Sequence, residues 1–558
     1  MARSNLRTGG QILVDQLVAQ GVEHVFCVPG ESYLAVLDAL HDVPIQLTVA
    51  RQETGAALMA EAIGRLTGRP GIAFVTRGPG AMNAAHAIHI AEHDSTPLIL
   101  FVGQIERGMR ERGAFQEMDY RAVFGSTAKF VTEIDDPARI PEIVSRAFHT
   151  AMQGRPGPVV ISLPEDMLVQ EADVADAMRV EPALTWPGQT QLLDLQKRLH
   201  ASRAPVAILG GGGWSQAAVD DFVRFAERFD LPVATSFRRA ALFPNTHRNY
   251  AGEIGIGPSP KLKARIDAAD LILLVGGRMS EMPSQSYTLF SVPEPKQALV
   301  HVHASAEELG RVYNPALAIN ASPVAFCASL ATLQPPQTFA WAGAAKTAHM
   351  DYLAWTDAAP PAPGAMQYGQ ALVQLRDYLP ADAIFTNGAG NFAIGVGRFL
   401  RAQRFGGQLA PNSGSMGYGL PAAIGAKRLS PERIVVCFAG DGDFLMNGQE
   451  FATAVQYDLP IVVVVVDNGM YGTIRMHQER EYPTRISGTA LKNPDFAAYA
   501  RAFGGHGESV ARTDEFMPAY ERAVASCRPA ILHVKIDPDA ITPTTTLTKI
   551  REAALAKG

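Results

Sequence analysis

Short apolar runs alternate with helical patterns along most of this chain, and this alternation constrains the fold more than any other feature. It begins with HVFCV, IQLTV, GIAFVT, LILFVG and GPVVISLP, then restarts with PVAIL, LPVATS, LILLVGG and ALVHVHA. A third series contains AIFTN, RIVVCFAG, IVVVVVD and AILHVKI. Strands of about four to eight residues that alternate with helices are typical of parallel sheets covered on both faces. We therefore predict an α/β chain of three consecutive doubly wound parallel-sheet domains.

Polar and proline-containing segments mark the predicted domain boundaries. Residues 166 to 190 are polar, and Pro335-Pro336 together with APPAPG at 359–364 bracket a weakly patterned linker. The length of 558 residues agrees with a prior of about 100 to 200 residues per domain. The predicted domains are an N-terminal domain at 1–180, a middle domain at 190–335 and a C-terminal domain at 365–540.

Composition and charge exclude several classes of function. The net charge of -6 provides no basic field for nucleic acid, and no apolar run approaches the roughly 20 residues that span a bilayer. The opening MARSNLRTGG lacks the apolar core of a signal peptide. The cysteines form no CxxC pair and predict reduced thiols rather than a zinc site; they are Cys27, Cys327, Cys437 and Cys527. We expect a cytoplasmic protein that binds a small molecule, not nucleic acid or a membrane.

Two small polar clusters follow apolar strand patterns in the third domain. Gly440-Asp441-Gly442 follows RIVVCFA, and Asp467-Asn468-Gly469 follows the valine run. Open parallel sheets bind ligands at the carboxyl ends of their strands. If the two strands are neighbours, the oxygens of Asp441 and Asn468 converge and suit Mg²⁺, while a helix beginning near Met446 directs its N-terminus at a diphosphate. Alternatively, each tripeptide is an ordinary strand-to-loop turn.

The spacing of these clusters, with a strand-helix-strand pattern between them, resembles the diphosphate and magnesium motif of thiamine-diphosphate enzymes. PNSGSMGYGLPAAIGA at 411–426 is similar to the family segment that faces the aminopyrimidine. RQETGAALMAEAIGRLTG at 51–68 and FVTRGPGAMN at 74–83 are similar to its pyrimidine-binding half. The acetolactate synthase group is the best match. The resemblance implies pyrimidine-binding, middle and diphosphate-binding domains, with thiamine diphosphate and Mg²⁺ as cofactors.

The resemblance also implies roles for individual residues. Asp441, Asn468 and the backbone carbonyl of Met470 would hold Mg²⁺. Glu53 would bind N1′ of the pyrimidine and promote removal of the C2 proton, although its position is equally compatible with an exposed helix-start glutamate. Phe115 and Gln116 would approach the substrate. The other residues that would bind or line the cofactor are Pro79, Asn83, Asn391, Gly414, Met416, Gly440, Gly442, Asp443, Tyr471 and Gly472.

Glu53 and Asp441 fall in different predicted domains. In the resembling family the pyrimidine half of one subunit faces the diphosphate half of another. The resemblance therefore implies a homodimer as the minimal active unit, and we expect a homotetramer.

The sequence departs from the acetolactate synthase pattern at three positions. Met282 stands where an arginine binds the carboxylate of the second keto acid, and a thioether cannot supply paired donors. His477 lies near the place of a tryptophan that selects the larger acceptor. Glu31 occurs in Pro-Gly-Glu-Ser where those synthases have Pro-Gly-Gly-Ala, so it either adds an acid or base near the reacting carbon or points to solvent. The donor chemistry therefore transfers better than the acceptor chemistry.

Four functions compete. The leading hypothesis is an enzyme that cleaves a 2-keto acid, acyloin or acyl-type donor and transfers the acyl carbanion to an acceptor. The alternative is a lyase, decarboxylase or diketone hydrolase, for example 2-hydroxyacyl-CoA lyase-like, without a keto-acid acceptor, and Met282 modestly favours it. A flavin or nicotinamide oxidoreductase would use glycines 210 to 213, but GxGxxG spacing is absent, so FAD is considered and not favoured. Retention of Glu53 disfavours a non-catalytic relative.

Overall fold

The computed structural model describes residues 6–557. Contacts divide the chain into two compact units, one comprising residues through Ala183 with Ile424–Pro431 and the other the remainder. Three six-stranded sheets are present, and all pairs of neighbouring strands within them are parallel. They confirm the predicted fold class. No helix within 6–557 is long and apolar enough to cross a bilayer.

The N-terminal region forms the first sheet. Its elements are β1 (Arg7–Thr8), α1 (Gly9–Ala19), β2 (His24–Cys27), α2 (Leu34–Leu40), β3 (Gln46–Val49), α3 (Glu53–Thr67), β4 (Gly71–Val75), α4 (Gly78–Asp94), β5 (Leu98–Gln104), α5 (Tyr120–Phe124), β6 (Phe130–Glu133), α6 (Ile140–Met152), β7 (Pro158–Pro164), α7 (Glu165–Val169) and β8 (Glu171–Ala172). The strand order is β3-β2-β4-β5-β7-β6, while β1 pairs with β8 outside this sheet. The chain changes direction between β2 and β4, and such a switch point is where open α/β sheets bind ligands.

The middle region forms the second sheet, in the order β11-β10-β9-β12-β13-β14. Its strands consist largely of buried aliphatic residues. The elements are α8 (Gln189–Ala201), β9 (Pro205–Leu209), α9 (Gln216–Arg228), β10 (Val233–Ser236), β11 (Tyr250–Ile254), α10 (Pro260–Ala268), β12 (Leu271–Val275), β13 (Ala298–His303), β14 (Leu317–Asn320), α11 (Pro323–Ser329) and α12 (Ala344–Thr356).

The C-terminal region forms the third sheet, in the order β16-β15-β17-β18-β20-β19. The valine run is the central strand β18, and its valines are at most 4% exposed. The elements are α13 (Tyr368–Tyr378), β15 (Ile384–Asn387), α14 (Phe392–Phe399), β16 (Gln408–Leu409), α15 (Gly419–Leu429), β17 (Val435–Gly440), α16 (Asp441–Phe444), α17 (Phe451–Gln456), β18 (Val462–Asp467), α18 (Gly472–Glu481), α19 (Phe496–Ala502), β19 (His506–Val510), α20 (Thr513–Ala525), β20 (Ala530–Lys535) and α21 (Leu547–Leu555).

Polar contacts join the middle and C-terminal sheets into one compact unit. Asn245 Oδ1 accepts a hydrogen bond from the Ala402 amide at 2.8 Å, and Gln408 Oε1 accepts one from the Ala240 amide at 3.0 Å. The Arg238 guanidinium donates to the Pro411 carbonyl at 2.5 Å. These side chains are buried, so the contacts satisfy polar groups that would otherwise be costly.

The helix predicted near Met446 begins two residues later. After the single turn α16, the chain forms a 3-10 turn at Gly448–Glu450 that leads directly into α17 at Phe451. Asn447 is a poor residue for a helix interior and separates α16 from this turn. The Asn447 amide donates to the Gly417 carbonyl at 2.9 Å, a long-range bond that the break in the helix allows.

Candidate active site

The two polar clusters of the C-terminal region lie side by side. Strands β17 and β18 pair directly, with Gly440 opposite Val466. The Asp441 carboxylate accepts hydrogen bonds from the Gly442 amide at 2.9 Å and from the Gly469 amide at 3.0 Å. The structure therefore brings Asp441 to the Asp467-Asn468-Gly469 loop, as expected for neighbouring strands.

A second carboxylate, Asp467, adjoins Asp441. The Asn493 amide group donates to both, at 2.7 Å to Asp441 and 2.8 Å to Asp467. Asp467 also pairs with His533 at 2.8 Å. Burial, reinforced by nearby Asp467, raises the pKa of Asp441, whereas hydrogen bonds from His533 and Asn493 lower the pKa of Asp467 despite its burial.

These charges fit a cation beside Asp441. His533 hydrogen-bonds to Asp467, whereas Asp441 is buried and pairs with no cationic side chain in the described part of the chain. No group of three or more His, Cys, Asp or Glu side chains within residues 6–557 is placed to hold a metal. Mg²⁺ does not need such a group, since it commonly binds through one or two carboxylates, waters and substrate phosphates.

A cavity of about 270 Å³ opens beside this cluster. The structure brings together at its wall every cofactor-binding residue predicted in the C-terminal domain. These are Asn391, Gly414, Met416, Gly440, Asp441, Gly442, Asp443, Asn468, Met470, Tyr471 and Gly472.

Asp443 braces the segment that carries Gly414 and Met416. Its Oδ1 accepts a hydrogen bond from the Gly417 amide at 2.7 Å, while its buried Oδ2 has no partner among the described residues. A Cβ at Gly388 would lie 2.0 Å from Oδ1, so only glycine permits this approach. Burial raises the pKa of Asp443 to about 7. The carboxylate thus shapes the cavity wall as well as lining it.

Two further contacts shape the start of α18. Thr473 donates from its hydroxyl to the Asn391 side-chain oxygen at 3.0 Å. A Cβ at Gly472 would lie 2.8 Å from the Asn468 amide nitrogen, so glycine lets the helix start pack against Asn468. Free amides at this helix N-terminus suit an anionic ligand.

The C-terminal segment also reaches the cavity, which the sequence pattern did not predict. Ile541, Thr542 and Pro543 line it, and α21 packs against α18. Arg551 donates to the buried Glu479 carboxylate at 2.8 Å, and Arg475 binds the same carboxylate. The hydrogen bond from Arg551 lowers the pKa of Glu479 to about 2.

We expect Arg551→Ala to loosen this segment. Loss of a charge-assisted hydrogen bond should raise the amide exchange rate of 541–557 about tenfold, measured by hydrogen exchange and mass spectrometry. Because the pKa of Glu479 is lowered, wild-type protection should persist above the ordinary value of 4.5 and fall as the pH drops towards about 2. Lys549→Ala, on an exposed position of α21, is the matched control. Equal exchange in both variants would contradict the assignment.

Glu53 occupies the start of α3 in the N-terminal region. The Asn83 amide group donates to its Oε2 at 2.8 Å, and a Cβ at Gly80 would lie 3.3 Å from its Oε1. Pro79 and Asn83 are exposed on α4 beside this contact. The helix-start interpretation of Glu53 is compatible with its position, but Asn83 also orients the carboxylate.

Family models match the regions of all three sheets. The thiamine pyrophosphate enzyme N-terminal binding domain matches residues 7–123, and the central domain matches 192–330. The C-terminal thiamine pyrophosphate binding domain matches 388–534.

Full-length relatives agree with these matches. The acetolactate synthase large subunit of Parasynechococcus marenigrum is 32% identical over 559 residues, covering 95% of this chain and 87% of that protein. The chain belongs to the thiamine pyrophosphate enzyme family. The isozyme 2 large subunit of Escherichia coli acetolactate synthase is 30% identical and covers 95% of each chain. A probable acetolactate synthase large subunit of Methanocaldococcus jannaschii is 29% identical, covering 96% of this chain and 93% of that protein. The predicted family and its acetolactate synthase-like group are confirmed.

This thiamine pyrophosphate enzyme has both cofactor-binding domains of its family, which supports the predicted thiamine diphosphate cofactor. When bound, thiamine diphosphate supplies a C2 carbanion that can attack a carbonyl carbon and then stabilise negative charge on it.

Within the glycine run at 210 to 213, Gly210 and Gly211 have a packing role in this enzyme. A Cβ at Gly211 would lie 1.8 Å from the Gly276 carbonyl oxygen, so glycine lets the loops after β9 and β12 touch. The Trp214 indole donates to the Gly210 carbonyl at 2.8 Å and is buried. Close loop packing therefore accounts for Gly210 and Gly211.

Of the two residues predicted to approach the substrate, the structure fixes the backbone of Gln116 but leaves the Phe115 side chain exposed. The Gln116 carbonyl accepts a hydrogen bond from the Gly78 amide at 3.2 Å, which places this loop at the start of α4. The Phe115 side chain is 72% exposed and is not packed into the N-terminal unit.

The three departures from the synthase pattern have different surroundings. The Met282 carbonyl accepts a hydrogen bond from the Gln285 side chain, and its thioether offers no donor. His477 is an α18 residue whose Nδ1 lies 3.4 Å from the Arg480 guanidinium. Glu31 follows β2 and lies 3.6 Å from Arg77, a residue to which the sequence pattern gave no role.

Proposed function

We propose that this chain is a thiamine diphosphate- and Mg²⁺-dependent carboligase acting on 2-keto acids. A donor 2-keto acid loses CO₂, and its acyl carbon forms a new bond to the carbonyl carbon of an acceptor, whose oxygen takes up a proton. The observation that carries the proposal is the buried Asp441, which pairs with no cationic side chain in residues 6–557 and lines a glycine-rich cavity. The names of the relatives, acetolactate synthase large subunits, support the same reaction class.

Specific residues would hold the cofactors. Asp441, Asn468 and the Met470 carbonyl would bind Mg²⁺, and the other predicted residues of the cavity wall would bind or line the cofactor, with Gly414 and Met416 in the segment that faces the aminopyrimidine. Glu53 would accept a hydrogen bond at N1′, with Asn83 orienting its carboxylate and Pro79 beside it. Gln116 and Phe115 would approach the substrate. FAD forms no part of this proposal.

The proposal includes a homodimer as the active unit and a homotetramer as the assembly, in the cytoplasm. Glu53 belongs to the N-terminal unit, and its neighbours Pro79, Met82 and Asn83 are exposed there. Met82, an apolar side chain beside them, is 50% exposed. A second copy of the chain would cover this face and complete the site. The domain boundaries 1–180, 190–335 and 365–540 are proposed with it.

Product analysis with pyruvate tests the function. Purified chain with thiamine diphosphate and Mg²⁺ should convert two pyruvate molecules into 2-acetolactate and CO₂, identified by mass spectrometry. Omission of either cofactor is the control and should stop the reaction. Release of CO₂ with acetaldehyde as the organic product would favour the decarboxylase alternative, which Met282 also modestly favours. Turnover of a 2-hydroxyacyl thioester or a diketone, without any from pyruvate, would favour a lyase or hydrolase.

A further inference from the structure

Three charged residues lie at the carboxyl ends of neighbouring strands in the first sheet. Glu31, Glu53 and Arg77 follow β2, β3 and β4, which are neighbouring strands in that sheet. Glu31 and Arg77 flank the switch point between β2 and β4, where a ligand crevice is expected. Glu53 has a role in the proposed function, whereas Glu31 and Arg77 have none.

Arg77 is a buried cation fixed at one end. The residue is 7% exposed, and its Nη2 donates to Glu165 at 2.5 Å. Its Nη1 lies 3.6 Å from Glu31, too far for a hydrogen bond, and its buried Nε has no partner among the described residues. The guanidinium therefore keeps an unfilled donor, Nη1, on the side of Glu31.

Glu31 is a weak partner for that donor. Its side chain is 70% exposed, and exposed ion pairs contribute little because water and salt screen them. An incoming carboxylate can displace Glu31 from Nη1 at small cost, while the bond to Glu165 keeps the guanidinium in place.

The position of Arg77 connects it to the proposed catalytic residues. It immediately precedes α4, whose Gly80 lies against Glu53. The Gly78 amide next to Arg77 donates to the Gln116 carbonyl. A group bound at Nη1 thus lies at the same sheet edge as the carboxylate proposed to act on the cofactor.

We infer that Arg77 binds the carboxylate of the keto-acid acceptor, and that Glu31 weakens this binding by competing for Nη1. Arginine suits the role because its planar donors remain charged at all working pH values. This inference rests on the proposed function and supplies the carboxylate contact that Met282 cannot. A neutral aldehyde acceptor has no group for Arg77 to bind.

The test compares two acceptors that differ in the carboxylate. Holoenzyme receives pyruvate as donor with either 2-ketobutyrate or propanal, and the products are measured in quenched samples. For Arg77→Gln, the ratio of kcat/KM for 2-ketobutyrate to that for propanal should fall about tenfold or more, since a hydrogen bond to a charged group is lost. For Glu31→Gln, the same ratio should rise several-fold. Arg139→Gln removes an exposed arginine paired with Glu142 and should leave the ratio unchanged.

Other outcomes would overturn the inference. An unchanged ratio in Arg77→Gln, or a falling ratio in Glu31→Gln, removes Arg77 from the acceptor site. If Arg77→Gln does not fold, the ratio measured for Glu31→Gln decides the inference, because the Glu31 side chain is exposed and its substitution should not disturb folding. If the wild type forms neither product, the proposed function fails, and calorimetry of the holoenzyme decides the inference separately. Oxamate should then bind more tightly to Glu31→Gln than to the wild type, while neutral oxamide binds both alike, and equal oxamate affinity rejects the carboxylate site.

Discussion

Glu53→Gln should slow C2 proton exchange of bound thiamine diphosphate by about a hundredfold or more while leaving cofactor affinity nearly unchanged. The amide keeps the length and shape of the side chain beside Asn83, but it cannot act as the acid-base partner of N1′. Deuterium exchange at C2, followed by acid quench and proton NMR, measures the rate. Calorimetry with Mg²⁺ present measures affinity.

A matched variant separates this role from a general loss of negative charge. Glu23→Gln removes an exposed glutamate of the same unit and should leave the exchange rate at the wild-type value. Asn83→Ala should have an intermediate effect, because it removes the group that orients Glu53 but retains the carboxylate. Wild-type exchange in Glu53→Gln would place the catalytic acid elsewhere.

The sequence pattern predicted every inner strand of the three six-stranded sheets but only one of their six edge strands, β3. The edge strands it missed are β6, β11, β14, β16 and β19, and it also missed the short pair β1 and β8. An edge strand is paired on one side only and meets solvent, so it needs no continuous apolar run. HGESV in β19 and FVTE in β6, for example, contain polar residues, so neither forms the continuous apolar run that predicts a buried strand. The central valine run, by contrast, is paired on both sides and buried, so its apolar pattern is continuous.

The candidate site was predictable where neighbouring strand ends determine it. Asp441 and Asn468 follow strands whose apolar runs are unmistakable, so their approach followed from the topology of parallel sheets. The side chains that hydrogen-bond to Asp441 and Asp467 come from distant parts of the chain. His533 lies on β20 and Asn493 lies in a loop, and neither has a local pattern that points to Asp467.

The C-terminal segment and Arg77 illustrate a second limit. Arg551 has an ordinary place on an amphipathic helix, and only the fold reveals that it reaches the buried Glu479. Arg77 in FVTRGPG is a single charge before a glycine-rich helix start, and its burial between Glu31 and Glu165 depends on three segments that are distant in the sequence. Ion pairs between residues far apart in the sequence produce no periodic pattern, so they are identified only from the folded structure.

Asp441→Ala should lower Mg²⁺-dependent affinity for thiamine diphosphate about a hundredfold or more. The substitution removes the only carboxylate among the proposed magnesium ligands, and the diphosphate depends on the cation to balance its charge. Calorimetric titration of cofactor into the apoenzyme at fixed Mg²⁺ measures the loss. Asp458→Ala, in the turn before β18, is the control and should bind like the wild type.

The thermal stability of Asp441→Ala should change in two opposite ways. Without ligands, the variant should melt at the wild-type temperature or above it, because burial opposes the charged form of Asp441 and no cationic side chain pairs with it in residues 6–557. With Mg²⁺ and thiamine diphosphate, the wild type should gain stability by mass action, whereas the variant should gain almost none. A full ligand-induced gain in the variant would exclude Asp441 from the metal site. A large loss of stability without ligands would instead mark Asp441 as a structural carboxylate, held by the Gly442 and Gly469 amides.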